Sequence, residues 1–273
     1  MRKIMDNKEK VRMRRLGWAG VEIECAGETL LIDYVQDISP LAVIRNPEEQ
    51  FLASSKTGVA SVALLTHLHS DHADPKALSV ALSKDAIVFR PIEARGSDAD
   101  MVLTKDAEIE LKKYELRTEI VREWEERKVG PYRIFSVPAV DGFGDPQLSW
   151  IVEFGGFRIF HAGDTLYHGF WWKIFHRFGP FNIAFLPINA PIVDFPSLRP
   201  MSPVEAVMTP EQAAAAANIL RADFVVPIHY GTMHQPPIYI ETPHALERLS
   251  ASLADLDTGI MIKEPGDWFE LLK

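Results

Sequence analysis

The chain has 273 residues, 47% of them hydrophobic, with 16 glycines and 19 prolines spread along its length, which is enough to bury a large core. Its one cysteine, Cys25, excludes an internal disulfide and a cysteine-based zinc site, so any metal must be held by histidine and carboxylate. The net charge of -9, with no basic stripe interleaved with aromatics, argues against a nucleic-acid groove, and no window stays apolar long enough to cross a bilayer.

These bounds predict one globular domain over residues 1–273, with residues 1–13 as a loose, basic N-terminal arm. No apolar core of signal-peptide length follows that arm, so a cytoplasmic protein with no membrane partner is expected. The first structured segment, "RLGWAGVEIECAGETLLIDY", alternates apolar residues around a turn at Ala26 to Glu28 and predicts a hairpin ending at Asp33. Residues 36–58, punctuated by Pro40, Pro47 and Gly58, read as a loop with at most a short helix. "VASVALLT" has the continuous apolar character of a strand buried on both faces.

That strand runs into "THLHSDHADP", which places three of the nine histidines and an aspartate within six residues. Asp74 suits an N-cap and Pro75 the first helical position, so "PKALSVALSKD" predicts a helix, with "AIVFRP" as the next strand. The histidine cluster therefore occupies a strand-to-helix loop. From Ala107 to Pro131 the charged, alternating sequence fits either a hairpin or an opening helix, with strands from about Thr118. "LSWIVEFGGFRIFHAGDT" predicts two strands around a Gly155-Gly156 turn, the second delivering His161 and Asp164 to its end.

"HGFWWKIFHRFG" reads as a helix stopped by Gly179, and "FNIAFLPI" as the strand after it. Thr209 and Gln212 form a capping box around Pro210 for a helix to about Arg221, and "FVVPI" then ends at His229. Strands and helices alternate while hairpins also occur, which predicts an α+β fold of two mixed sheets with helices packed outside.

A strand ending in His-X-His points both imidazoles to one side, because side-chain direction repeats every two residues. His67 and His69 can therefore share one metal, while Asp71 and His72, one tight turn on, can face a second. The motif resembles the His-X-His-X-Asp-His signature of the metallo-β-lactamase superfamily. The order of "LLIDY", the signature, "VPAVD", "FHAGDT" and "VVPIHYG" is similar to its branch of metal-dependent hydrolases that includes ascorbate-phosphate lactonase-like and N-acyl-phosphatidylethanolamine phospholipase D-like proteins. The resemblance spans about Leu16 to Gly231.

It implies a four-layer αββα sandwich with the site at the sheet edges. It also implies two divalent metal ions, zinc first and manganese or iron(II) as alternatives, with His67 and His69 on one, Asp71, His72 and His229 on the other, and Asp164 bridging. Where the branch usually has a histidine two residues after "PA", this chain has Asp141, an oxygen donor suited to zinc and better suited to manganese or iron(II). Three readings stand open there: Asp141 ligates, Asp145 takes its place, or Asp141-Gly142 is an ordinary turn and only one metal is held.

The implied chemistry is hydrolysis by a metal-bridging hydroxide, with Asp71 or Asp164 passing a proton to the leaving group. A small-molecule lactone, ester or phosphodiester is the expected substrate. Two divalent ions, a hydroxide and three aspartates sum to zero charge, which favours the lactone or ester over the phosphodiester unless Arg199 or Lys173 supplies a cation. The alternatives are an iron-dependent redox enzyme on the same fold and a metal-binding homologue without turnover. His161 is expected behind a metal-bound carboxylate, His168 and His234 near the rim as substrate contacts or ordinary surface, and Tyr230 as a hydrogen-bond donor to substrate or as packing at the strand end. Tyr167, Phe170, Trp171 or Trp172 is expected either to wall the pocket or to join the core. Homo-oligomerisation is suggested by the resemblance alone, with residues 36–58 and "HQPPIYIETPHALERL" as candidate contact or lid segments.

Overall fold

The computed structural model describes residues 11–45 and 51–271. In chain order the first half contains β1 (Arg12–Gly17), β2 (Gly20–Cys25), β3 (Glu28–Ile32), β4 (Ala60–Leu64), α1 (Pro75–Ala81), β5 (Leu82–Arg90), α2 (Lys105–Lys113) and β6 (Thr118–Ile120). The second half contains β7 (Glu126–Val129), β8 (Tyr132–Pro138), β9 (Leu148–Phe154), β10 (Phe157–His161), α3 (Trp171–Phe178), β11 (Phe181–Pro187), β12 (Ile192–Val193), α4 (Pro210–Leu220), β13 (Ala222–Ile228), β14 (Tyr239–Ile240), α5 (Ala245–Leu253), β15 (Gly259–Ile260) and β16 (Phe269–Glu270).

Two seven-stranded sheets result, ordered β16-β1-β2-β3-β4-β5-β6 and β15-β13-β11-β10-β9-β8-β7, with β12 and β14 forming a separate ribbon. In the first sheet β1 to β3 pair antiparallel and β3 to β6 parallel. In the second, β7 to β10 are antiparallel and β10, β11, β13 and β15 parallel. The inner faces meet in one core containing Ile23, Leu64, Trp150 and Val226. A second core lies between the latter sheet and α3 to α5, and a third between the former sheet and α1 and α2. This is the four-layer αββα arrangement expected, with both sheets mixed.

Local chemistry explains the elements. The turns at Ala26-Gly27 and Gly155-Gly156 have both central residues at positive φ, as two-residue hairpins require. Asp74 caps α1 by accepting from Ala77 N at 2.8 Å, and Thr209 and Gln212 cap α4 reciprocally.

Three expectations shift. Residues 1–10 lie outside the described residues, but the last part of the predicted arm is structured: Arg12 and Met13 sit in β1 between β2 and β16. The helix after the signature stops at Ala81, not Asp85, because Leu82 already pairs with Ala60 of β4, and the ladder claims "SKD" for β5. The ambiguous stretch begins as α2, which buries Ala107 and Leu111 on one side, before β6 and β7. No helix among the described residues is long and apolar enough to cross a membrane.

Candidate metal centre

The strands of both sheets end at one rim. Beyond β4, Leu65 N still bonds Phe89 O and Thr66 N bonds Asp33 Oδ1 (2.8 Å), after which the chain turns so that His72 N and Ala73 N both bond His69 O. Asp141 follows β8, Asp164 follows β10, Asn189 follows β11 and His229 follows β13. Gly163 makes the approach of two of these turns possible. At φ +70° it accepts a conformation side chains resist, and a Cβ there would lie 2.9 Å from Thr66 and from Gln147 Nε2. Trp18, Asp33, Ala190 and His229 also adopt positive φ. Such backbone persists only where surrounding bonds over-determine it.

The side chains converge closely. His67, His69, Asp141 and Asp164 each offer an atom within 4.8 Å of the others, as do His67, Asp71 and His72, and His72, Asp164 and His229. Asp164 Oδ2 lies 3.6 Å from His67 Nε2 and 3.9 Å from His229 Nε2, between the two ends of the cluster. Asp71 Oδ2 lies 3.6 Å from both His72 Nε2 and His229 Nε2. His67 Nε2, His72 Nε2, His229 Nε2, Asp141 Oδ1 and Asp164 Oδ1 are all buried and have no hydrogen-bond partner. Five such atoms facing one another are costly unless a cation meets them.

The far side of each ring is engaged. His67 Nδ1 bonds Thr66 Oγ1 (3.0 Å), His72 Nδ1 bonds Asp33 Oδ2 (2.8 Å), His229 Nδ1 bonds Asn189 Oδ1 (2.9 Å) and His69 Nε2 bonds Asp145 Oδ2 (2.9 Å). Each partner fixes a tautomer and leaves the inward nitrogen able to donate its lone pair. Asp141 Oδ2 accepts from Phe143 N (2.8 Å) and Asp145 N (2.9 Å), turning Oδ1 toward the cluster. Asp145 thus sits behind His69 in this arrangement and not in the place of Asp141. Trp18 Nε1 donates to Asp71 Oδ2 at 2.9 Å and its ring lies 4.0 Å from that of His229.

Protonation in the cluster follows burial and neighbouring charge. Burial, with the surrounding imidazoles, holds His67 well below its ordinary value, and burial pushes His229 down to about 4. Burial opposes the charged form of His72 too, but Asp71 and Asp33 outweigh it and lift the ring to about 10. Burial acts against His69 in the same way, and Asp145 and Asp141 raise it. Asp71 stays below the usual carboxylate range, since His72 and His229 overcome its burial. Asp164 moves up to about 7, chiefly through burial and through Asp141 and Asp71 beside it.

The remaining predicted residues lie elsewhere. His161 is buried against the sheet, bonding Ala19 O (2.8 Å) and accepting from Gly163 N (3.2 Å), so it braces the turn before Asp164 without touching a cluster carboxylate. His168 stacks on Trp171 at 4.2 Å and is pushed down to about 4 by burial. Tyr230 Oη accepts from the Arg15 guanidinium (3.3 Å), and His234 is exposed, its Nδ1 accepting from Glu241 N. Neither Tyr230 nor His234 lines the cavity over the cluster.

Trp171 is fully buried in the outer core and Tyr167 and Phe170 pack on it, because helical spacing turns that face inward, while Trp172 is exposed. The cavity is walled by Leu41, Ile44, Phe143, Phe195, Met233 and Tyr239, so both segments proposed as lids contribute to it. Trp18, Asp33, Thr66 and Asn189 escaped the sequence reading; only Asp33, an acid closing an apolar strand, left a signal.

Comparison with known proteins agrees with this geometry. Residues 28–230 match the family model described as "Beta-lactamase superfamily domain". A UPF0173 metal-dependent hydrolase of Rubrobacter xylanophilus is 31% identical, covering 88% of this chain and 88% of its own. Among solved structures, the metallo hydrolase Igni18 of Ignicoccus hospitalis aligns with TM-score 0.67 at 20% identity, over 97% of this chain and 99% of that one. CmlA, a diiron β-hydroxylase of Streptomyces venezuelae, aligns with TM-score 0.71 at 16% identity, over 96% of this chain and 54% of that one. The chain belongs to the metallo-β-lactamase superfamily and, within it, to the UPF0173 metal-dependent hydrolases.

Proposed function

We propose that the cluster holds two divalent metal ions, zinc first and manganese or iron(II) as alternatives, and hydrolyses a small-molecule lactone, ester or phosphodiester. His67, His69 and Asp141 are assigned to one ion, Asp71, His72 and His229 to the other, and Asp164 to both. The observation that carries the assignment is the set of five buried inward atoms without partners, backed by four rings whose outer nitrogens are already bonded. Ions bound there supply an acidified water and polarise the bond under attack.

The chain's own residues do the rest. Asp33, Asn189, Asp145 and Thr66 hold the imidazoles in their donor tautomers. Trp18 steadies Asp71 Oδ2, and Asp71 or Asp164 is placed to carry a proton to the leaving group. Three carboxylates among seven donors also suit iron, so redox chemistry is the second reading.

Elemental analysis after purification without added metal, and again after reloading, tests both readings when paired with an ester, lactone and phosphodiester screen. Two equivalents per chain with hydrolysis support the proposal. One equivalent removes Asp141 from the donor set, and iron without hydrolysis favours the redox reading.

A further inference from the structure

The cavity above the cluster narrows the choice of substrate. Its volume is about 60 Å³, and Phe143 and Leu103 on its wall also line a neighbouring cleft of about 850 Å³. Only the reacting group fits the inner chamber; the rest of a substrate must lie outside. Among the described residues the inner lining is apolar or aromatic apart from Ser70 and the cluster residues, and contains no lysine or arginine. In the outer cleft Arg199 is already ion-paired with Asp194, Arg95 lies beside Glu93 and Asp100, and Glu205 also faces that space. The two proposed ions, a hydroxide and Asp71, Asp141 and Asp164 already sum to zero charge, so a phosphodiester at the reacting position would add a negative charge that no cationic side chain among the described wall residues meets.

Tyr239 supplies what a neutral substrate needs. It is buried at 5% exposure, lies on β14 in the cavity wall, and its ring is 6.4 Å from Phe195. Asn189 Nδ2 donates to its hydroxyl at 2.7 Å. His229 Nδ1 occupies Asn189 Oδ1 at 2.9 Å, and with His229 Nε2 turned inward Nδ1 must be the donor, which fixes the amide orientation. The tyrosine oxygen is therefore an acceptor toward Asn189, and its own proton has no acceptor among the described residues.

We infer that, on the hydrolase reading above, the reacting group is an uncharged carbonyl of an ester, lactone or amide, and that the Tyr239 hydroxyl donates a hydrogen bond to its oxygen. Water adds to the carbonyl carbon, the acyl–oxygen or acyl–nitrogen bond breaks, and the leaving atom takes the proton. Tyr239 keeps its proton throughout, in keeping with burial and the nearby Asp71 charge, which hold the phenol well above its ordinary value. A carbonyl brings no charge into the chamber and gains it only as the transition state forms, at the oxygen this donor meets.

The test uses the metal-loaded full chain with p-nitrophenyl butyrate, δ-valerolactone and bis(p-nitrophenyl) phosphate. Carbonyl substrates are expected to exceed the diester by about 100-fold in kcat/KM. Tyr239→Phe should lower kcat/KM by about 100-fold, mostly through kcat, with metal content unchanged. Binding gives a second readout: δ-valerolactam, neutral and resistant to hydrolysis, should quench tryptophan fluorescence and bind about tenfold more weakly to Y239F, while dimethyl phosphate should not compete. Preference for the diester, or a Y239F variant with unchanged kcat and lactam affinity, overturns the inference and leaves the hydrolase reading standing. No turnover of either class by protein carrying two metals overturns both.

Discussion

Asp33→Asn is the most exacting substitution for the proposed centre, because it barely changes volume and replaces no proposed metal ligand. Asp33 is fully buried and accepts three bonds: Thr66 N at 2.8 Å, Thr66 Oγ1 at 2.7 Å and His72 Nδ1 at 2.8 Å. An asparagine can still take the backbone bond with Oδ1, and its amide can donate to the threonine hydroxyl. The same amide then faces His72 Nδ1, which can no longer donate. His72 must move its proton to Nε2, the inward nitrogen, or leave two donors opposed in a dry site.

A lost hydrogen bond to a charged group is worth about 1.5–3 kcal/mol, and outer partners of ligating histidines typically govern 10- to 100-fold in metal affinity. Asp33→Asn should therefore weaken the Asp71/His72/His229 position by about 10- to 100-fold, and the His67/His69/Asp141 position, reached only through Thr66, by less. Competition with a chromophoric chelator resolves the two affinities, and circular dichroism confirms the fold. Equal affinities at both positions in a folded variant would refute the claim that Asp33 sets the tautomer of His72.

Four further outcomes follow from the same geometry. Trp18→Phe removes the 2.9 Å donor to Asp71 while keeping a ring against His229, and should weaken the same position by about tenfold in that titration. Gly163→Ala combines a left-handed backbone with a Cβ 2.9 Å from Thr66, and should cost about 2–4 kcal/mol in a urea melt at constant slope. Thr209→Ala breaks the capping box of α4, far from the centre, and should cost about 1 kcal/mol with metal content unchanged. The fourth concerns pH: in metal-free protein His72 is raised from 6.5 to about 10, so its stabilisation is complete below pH 6.5 and lost as pH rises toward 10. Metal uptake displaces that proton, so the gap in unfolding free energy between loaded and chelator-treated protein should widen from pH 6.5 to 9, by up to about 1.4 kcal/mol per pH unit. A gap that narrows over that range contradicts the assignment.

How legible the centre was depends on how its parts are carried. His67, His69, Asp71 and His72 lie within six residues, and the His-X-His spacing at a strand end sets the facing of the first two before any fold is known. Asp164 and His229 gained meaning only through their order along the chain. The direction of Asp141 was open, because it depends on two backbone amides, Phe143 N and Asp145 N, whose placement follows from the loop's conformation. The pairing of the orienting partners was illegible for a simpler reason: Asp33 is 39 residues from His72, Asn189 is 40 from His229 and Trp18 is 53 from Asp71. Topology brings these pairs together, and no local pattern marks them.

The aromatic run near His168 shows the opposite error, since residues clustered in sequence were split by helical spacing between core and solvent. The rings that do wall the cavity, Phe143, Phe195 and Tyr239, come from three separate segments. A physical division of labour results. The cluster residues lie at strand ends, tied to the sheets by backbone bonds such as Leu65 N to Phe89 O and His229 N to Trp18 O. The wall residues lie on connecting segments and the small β12–β14 ribbon, where substitution disturbs fewer ladder bonds. Changing Phe143 or Phe195 should therefore alter which substrates enter without altering metal content, whereas no change confined to the wall should abolish metal binding. Tyr239 joins the two layers, because Asn189 links its hydroxyl to the ring of His229, and this makes it the wall position where substrate choice and turnover are expected to change together.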